Sequence, residues 1–421
     1  MYLEHVMESN SQLIKQTIEL HQKNKIPPNT WVIDLDQIAA NAKILGETAS
    51  QNKLITYLMS KQHNRNPYIN SVAISQGLHK IVAVDVQGAL QCGRYNIPVG
   101  HVGHLEQIPR IFIPYILKLN PEVITVYSIN QARWINEGAK LKEKIQNIMV
   151  RVITDGDVLF DGQEGGIEER ELDIFAHQVK KLSNIELIGV TSFPCVRYNE
   201  TKDDQIKSTQ NLETILRAAA NLNQMGFSIT QINTPGNTNS ELMPELRKLG
   251  ATHVEPGNAL LGTTPSNAFR NDCAEKTAFI YLTEISHFYK ERAYAYGGGV
   301  YHTNYSDHIN ALIGSTWDEA RKNKIRYNFD VVQDIDYHMQ FVPNPDLNQT
   351  CKIGDSVILA YRTQMQMTRS YILPISGLSG DRELKLHYLF DHANNALDHD
   401  FNPVSSERVV KDIEKLIKTY E

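Results

Sequence analysis

Eight short apolar runs, each leading into helix-like sequence or a loop before it, constrain this chain more than any other feature. They lie at 54–59 (LITYLM), 81–85 (IVAVD), 97–102, 122–127 (EVITVY), 147–153 (NIMVRVI), 185–191 (IELIGVT), 229–233 (ITQIN) and 252–254 (THV). Strands that alternate with helices build βαβ units and a parallel sheet. Eight is the number that closes a (β/α)8 TIM barrel, whose usual size is about 250 residues. An open, doubly wound sheet is the alternative, disfavoured because no GxGxxG follows the first strand.

A ninth strand at 31–35 (WVIDL) is surplus to the barrel. Before it, residues 1–24 carry apolar positions at helical spacing and predict a helix that ends by Pro27 and Pro28. After it, Asp36 is the expected cap of a helix with Ile38, Ala42 and Leu45 on one face. Beyond residue 270 the texture changes. Strand-like stretches at 277–284, 293–296, 329–333, 339–342, 356–361 and 367–375 precede one clear helix at 405–420. The expected fold class is therefore α/β: a (β/α)8 TIM barrel over 30–268, followed by a C-terminal β-rich domain over 269–421 on which 1–29 packs.

Composition narrows the function. Lys and Arg total 42 against 48 Asp and Glu, so there is no basic excess to bind nucleic acid. Cys92, Cys195, Cys273 and Cys351 form no CxxC, which excludes a disulfide scaffold and suits a reducing compartment. The start, MYLEHVMESNSQ, lacks the features of a signal peptide, and no apolar run approaches the ~20 residues of a membrane span. The expectation is a cytoplasmic enzyme with neither nucleic-acid nor membrane partners.

Barrels of this kind work at the C-terminal ends of their strands. Lys61 follows the first barrel strand, where partly dry walls would disfavour its ammonium form and make it nucleophilic. TPGNTNS (234–240) and EPGNALLG (255–262) follow the last two strands, where many barrels bind phosphate. Glu255 could hold a cationic ring nitrogen, or instead pair with a helix. In YAYGGGVYH (294–302), Tyr296 and Tyr301 flank three glycines; a tyrosine needs activation to serve as a base. His101 and His104 are spaced for metal ligation but show no third ligand, and read better as barrel-mouth histidines that contact a ligand. His253 and His287 read as buried, hydrogen-bonded histidines, and Cys195 alone carries no function.

Together these residues resemble the alanine racemase-like family of fold type III pyridoxal-phosphate (PLP) enzymes. WVIDLDQIAANAKIL, with Asn41, is similar to that family's opening, and Lys61 matches its cofactor lysine. TDGDVLFDGQEGG (154–166) resembles the loop after its fifth strand; TSFP, TPGNTN and EPGNALLGTTPS match its last three strand ends in order. KQxxRNP, FPC, EPGxALxGT, EISH and YGGG are similar to its YhfX-type subgroup.

The resemblance implies pyridoxal 5'-phosphate as cofactor, and no metal is expected from the residues. It implies cofactor contacts from Lys61, His104, Ser192, Gly236, Asn237, Thr238, Glu255, Gly257, Asn258 and Ala259. It implies an amino-acid racemase or epimerase that abstracts the α-proton of an external aldimine. Lys61 would serve one face and Tyr296, from a second subunit of a head-to-tail homodimer with shared active sites, the other. Arg362, in YRTQ, is the candidate for the substrate carboxylate.

Two departures bear on the reaction. Ser192 stands where alanine racemases carry histidine, and Glu255 where they carry arginine. A carboxylate favours a protonated ring and hence a stronger electron sink. The same site therefore also suits a PLP-dependent decarboxylase, or an aldolase or dehydratase of D-amino acids. A non-catalytic PLP-binding protein is the remaining alternative; known carriers with this barrel lack a large β-domain.

Overall fold

The computed structural model describes residues 2–198, 206–300, 308–328, 336–344, 346, 350–364, 369–380 and 382–420. Among them, eight parallel strands close on themselves: Ile55–Met59, Lys80–Ala83, Val99–Val102, Val123–Val126, Gln146–Ile153, Ile185–Thr191, Gln231–Asn233 and His253–Val254. Each pairs with the next, and the last returns to the first, with His253 opposite Ile55. Closure removes the exposed edges that an open sheet would carry. All eight apolar runs are strands of this barrel. Their continuous hydrophobicity follows from burial on both faces, complete for Val99–Val102 and Val123–Val126. Two of the helices between them start on a clear side-chain cap: Asp85 accepts from the Gly88 amide to open Val86–Arg94, and Ser128 from the Gln131 amide to open Ile129–Leu141.

The surplus strand, Thr30–Asp34, belongs to a second sheet. It lies between Phe279–Tyr289, antiparallel to it, and Tyr371–Ser376, parallel to it. All five of its residues are buried, and the Trp31 indole donates to the Gly299 carbonyl at 2.7 Å. The same sheet continues through Ser356–Leu359, His308–Gly314 and Lys324–Asn328 on one side. Arg292–Tyr296 forms a hairpin with Phe279–Tyr289. The N-terminal helices share a core with this sheet: Leu3, Val6, Leu13, Ile14 and Ile18 pack with Ile280, Leu282, Ile358 and Leu373.

Two local expectations change. Residues 1–24 form two helices, Tyr2–Ser9 and Ser11–Gln22, because Asn10 leaves helical geometry and accepts from the Leu13 amide. The helix Leu35–Gln51 is capped by Asp34, whose Oδ1 accepts from the Asp36 and Gln37 amides. Asp36 is taken elsewhere: its carboxylate accepts from the Gly377 and Leu378 amides, from Arg382 and from Tyr420. The chain divides into two compact units, 42–61 with 73–259, and 1–41 with 62–72 and 260–421. This differs from a cut at 30 and 268, because the 30–34 strand pairs within the β-rich unit. The expected strand at 329–333 lies outside the described residues. No helix among the described residues is long and apolar enough to cross a membrane.

Candidate active site

Lys61 sits in the short 3-10 turn Ser60–His63, directly after the first barrel strand. Four of that strand's five residues are buried, and the lysine itself is half-buried. The Met59 amide donates to the Pro256 carbonyl at 2.8 Å, tying this strand end to the loop after the eighth strand.

That loop starts with Glu255, which is 2% exposed. Its Oε1 accepts from His101 Nδ1 and from Asn233 Nδ2, both at 2.8 Å. His101 extends from the third barrel strand, and its Nε2 lies 2.6 Å from Thr125 Oγ1 on the fourth. Donation from Nδ1 to the carboxylate assigns Nε2 the role of acceptor from the threonine hydroxyl. Full burial pushes the Glu255 carboxyl up. The adjacent histidines and the bonds from His101 and Asn233 outweigh burial and hold it down at about 2. Glu255 is therefore an anion inside the barrel. Its second oxygen, Oε2, is buried with no hydrogen-bond partner and stands 3.5 Å from His104 Nε2.

His104 is neutral. Burial, against the pull of Glu255 and with the charges of Arg151 and Lys61, brings it down to about 3. Both of its ring nitrogens are buried without a hydrogen-bond partner. His101, His104 and Glu255 bring three ligand atoms within 4.8 Å of one another, so the third group that spacing did not reveal is the glutamate. His101 already uses both nitrogens, and the charges of Lys61 and Arg151 reach His104. With His101 committed, two ligand atoms stay open, fewer than the three protein ligands of a catalytic zinc site.

The two glycine-containing loops, 234–240 and 255–262, follow the seventh and eighth strands. In the first, a Cβ on Gly236 would lie 2.4 Å from the Val196 carbonyl, so only glycine fits the close approach of these two segments. The glycine is thus fixed by a backbone neighbour, where the sequence suggested ligand approach. Asn237 is half-buried beside it, and the Thr238 hydroxyl is buried with no hydrogen-bond partner. In the second loop Gly257, Asn258 and Ala259 are buried, and Asn258–Leu261 forms a single helical turn. Ser192, at the end of the sixth strand, is fully buried, and its hydroxyl accepts from Asn211 Nδ2 at 3.1 Å. Asn211 also bonds both backbone groups of Val158, fixing the loop after the fifth strand.

Other candidates fall into place. His253 is buried, stacks on Tyr57 with ring centroids 5.4 Å apart, and lies 2.8 Å from the Thr252 hydroxyl. His287 is only half-buried, stacked on Tyr294. The Cys195 thiol donates to the Ser192 carbonyl, and burial pushes its pKa up, away from reactivity. Tyr296 and Arg362 belong to the β-rich unit; Tyr296 is 41% exposed at the end of Arg292–Tyr296, and Arg362 is half-buried. Tyr301 lies outside the described residues. Sequence reasoning missed Asn233, Thr125, Asn211 and Arg151. The visible signal for the last was a cation inside the apolar run MVRVI.

Comparison with known proteins bears on this geometry. Residues 33–265 match the family model "Alanine racemase, N-terminal domain", and residues 280–384 match "YhfX-like, C-terminal domain". The uncharacterized protein YhfX of Escherichia coli K12 is 35% identical over 400 residues, covering 94% of this chain and 100% of that protein. Three solved structures share the fold at low identity. D-threonine aldolase from Filomicrobium marinum gives a TM-score of 0.63 at 13% identity over 87% of this chain and 95% of that one. D-threo-3-hydroxyaspartate dehydratase from Delftia sp. HT23 gives 0.63 at 12%, over 86% and 97%. Alanine racemase from Corynebacterium glutamicum gives 0.56 at 16%, over 79% and 90%.

Proposed function

Because the chain belongs to the alanine racemase-like family of fold type III, with a YhfX-like C-terminal domain, we propose that it is a pyridoxal-phosphate enzyme. Its reaction is labilisation of an amino acid's α-proton, leading to racemisation or epimerisation. One observation carries the cofactor assignment. Glu255 is a buried anion with one oxygen lacking any donor, and a protonated pyridine nitrogen is a donor of matching charge.

When bound, the cofactor supplies an aldehyde that condenses with amines and a cationic ring that draws electrons from the amino acid's Cα. Lys61 is the amine that holds it. Glu255 Oε2 would accept from the ring N–H, while His101 and Asn233 keep Oε1 in place. Gly236, Asn237 and the unpartnered Thr238 hydroxyl, with Gly257, Asn258 and Ala259, receive the phosphate. Neutral His104 and Ser192 would line the group. With its amine free, Lys61 Nζ would remove or return the amino acid's α-proton on one face. The Tyr296 hydroxyl of a second copy serves the opposite face, which requires a homodimer.

A second reading is favoured by Glu255 itself. A ring kept protonated is a stronger sink than proton transfer alone requires, and retro-aldol cleavage, β-elimination or decarboxylation draws on the same sink. One experiment separates these. The purified protein, loaded with pyridoxal phosphate, is incubated with D- and L-amino acids in deuterium oxide and followed by NMR. Racemisation incorporates deuterium at Cα and yields both enantiomers. An aldolase releases an aldehyde, a dehydratase a keto acid with ammonia, and a decarboxylase carbon dioxide. A loaded protein that exchanges no α-proton and forms no product with any amino acid overturns the catalytic reading in favour of non-catalytic binding.

A further inference from the structure

Two phenylalanines meet at the C-terminal mouth of the barrel unit: Phe160, from TDGDVLFDGQEGG after the fifth strand, and Phe193, from TSFP after the sixth. Their ring centroids lie 5.6 Å apart. Phe193 also meets the His104 ring edge-on at 5.5 Å, and His104 Nε2 is 3.5 Å from Glu255 Oε2. Beyond Phe160, the Arg197 guanidinium carbon lies 5.8 Å from its ring centre. These groups form a continuous row from the buried carboxylate to Arg197, which is exposed.

The backbone holds both rings in place. Two residues before Phe160, Val158 bonds Asn211 through both its backbone groups, at 2.9 and 3.0 Å. The Gln163 amide donates to the Phe160 carbonyl at 2.9 Å, closing a turn that Gly162 permits with a φ of 78°. Two residues after Phe193, the Cys195 amide donates to the Pro235 carbonyl at 2.9 Å, tying this segment to the loop after the seventh strand. Yet the rings are not covered. His104, Ser192 and Cys195 are at most 1% exposed, whereas Phe160 and Phe193 are half-buried and Leu159 is 36% exposed. Apolar surface fixed in position and left open beside a polar site is surface for a ligand to cover. The row itself carries no carboxylate, and its one exposed cation already lies over a ring.

We propose that Phe160 and Phe193 form the wall that receives the substrate's side chain, and that the substrate is an amino acid with a large apolar or aromatic side chain. The inference rests on the amino-acid chemistry proposed above and names the substrate class which that chemistry leaves open. Phe160 is the specificity-determining residue to test. Phe193 abuts His104, whereas Phe160 can be changed without touching a residue assigned to the cofactor.

The test compares the wild type, Phe160→Ala and Phe160→Trp; the tryptophan variant narrows the wall and decides the matter should the alanine variant fail to fold. The proteins loaded with pyridoxal phosphate are titrated with alanine, leucine, phenylalanine and aspartate, as both enantiomers, by visible absorbance. Exchange of the α-proton in deuterium oxide is followed beside it. The wild type should take leucine or phenylalanine at least about tenfold better than alanine or aspartate, since one methylene in an apolar pocket is worth roughly tenfold or more. Phe160→Ala should reduce that preference to within about threefold, and Phe160→Trp should weaken phenylalanine by at least about tenfold while alanine is unaffected. A wild type that prefers alanine or aspartate, or a preference that neither variant moves, overturns this inference and leaves the cofactor reading standing. A further arm needs no cofactor: fluorine NMR reads the binding of a fluorinated phenylpropionate to the unloaded proteins, expected to be at least about tenfold weaker in Phe160→Ala than in the wild type. A wild type that is colourless, or coloured but indifferent to every amino acid, overturns the reading on which the inference rests. The fluorine arm then decides the wall: a probe bound equally by wild type and variants, or by none, overturns it too.

Discussion

Glu255→Gln isolates the charge of the buried carboxylate, because the amide carbonyl can still accept from His101 and Asn233. Two routes give the cost. The carboxyl is held at about 2 against an ordinary 4.5, which at about 1.4 kcal/mol per unit sets an upper bound of about 3 kcal/mol, since part of the shift comes from a charge on His104 that is absent at neutral pH. Two hydrogen bonds to a charged acceptor each exceed neutral ones by roughly 1 kcal/mol, giving about 2 kcal/mol. Both routes agree on about 2–3 kcal/mol lost at neutral pH. The sign follows from linkage: a carboxyl whose pKa is lower folded than unfolded binds protons more tightly in the unfolded chain. Its contribution is full above 4.5 and is lost as pH falls toward 2. The assay is urea unfolding of the cofactor-free chain at pH 7, 5, 4 and 3. With a slope near ~3 kcal/mol/M, the variant's midpoint should fall by about 0.7–1 M at pH 7, and the gap should close on acidification. Equal midpoints at pH 7, or a gap that does not change with pH, would show that the folded protein does not hold Glu255 as an anion.

Other substitutions test other parts of the site. Lys61→Ala should be colourless, and borohydride should fix cofactor mass on the wild-type peptide containing residue 61; mass on another lysine instead would refute the assignment. Tyr296→Phe should slow racemisation by roughly 10²–10⁴-fold while cofactor affinity changes less than about twofold; equal rates in both proteins would remove Tyr296 from the reaction. Gly236→Ala places a Cβ 2.4 Å from the Val196 carbonyl, so the loop must shift, at about 1–3 kcal/mol of stability and roughly tenfold in cofactor affinity. Unchanged affinity by fluorescence titration would separate that loop from the phosphate site.

The barrel was legible because its strands are buried on both faces, so each reads as an uninterrupted apolar run such as EVITVY. The surplus strand was legible by count alone, but its place between Phe279–Tyr289 and Tyr371–Ser376 was not, since those pairings join residues remote in sequence. The break at Asn10 and the exchange of capping roles between Asp34 and Asp36 escaped for a local reason. Both depend on where a short polar side chain finds its donors, and neighbouring candidates look alike in sequence. At the site, Lys61 and Glu255 were readable from their places at strand ends. The partnership of Glu255 with His101 and Asn233 required closure of the barrel, which brings the third, seventh and eighth strands together.

The position of Thr30–Asp34 in the middle of its sheet has a consequence during synthesis. The strand leaves the ribosome before the barrel unit, yet its first partner, Phe279, follows only after that whole unit has been made. At translation speeds of 5–20 residues per second the delay is roughly 10–50 s. Throughout that wait an apolar segment with unpaired backbone on both sides is open to self-association. The order of assembly is thus written into the connectivity: the barrel unit can finish first, and the β-rich sheet forms only when Phe279–Tyr289 and Tyr371–Ser376 pair with a strand made before both.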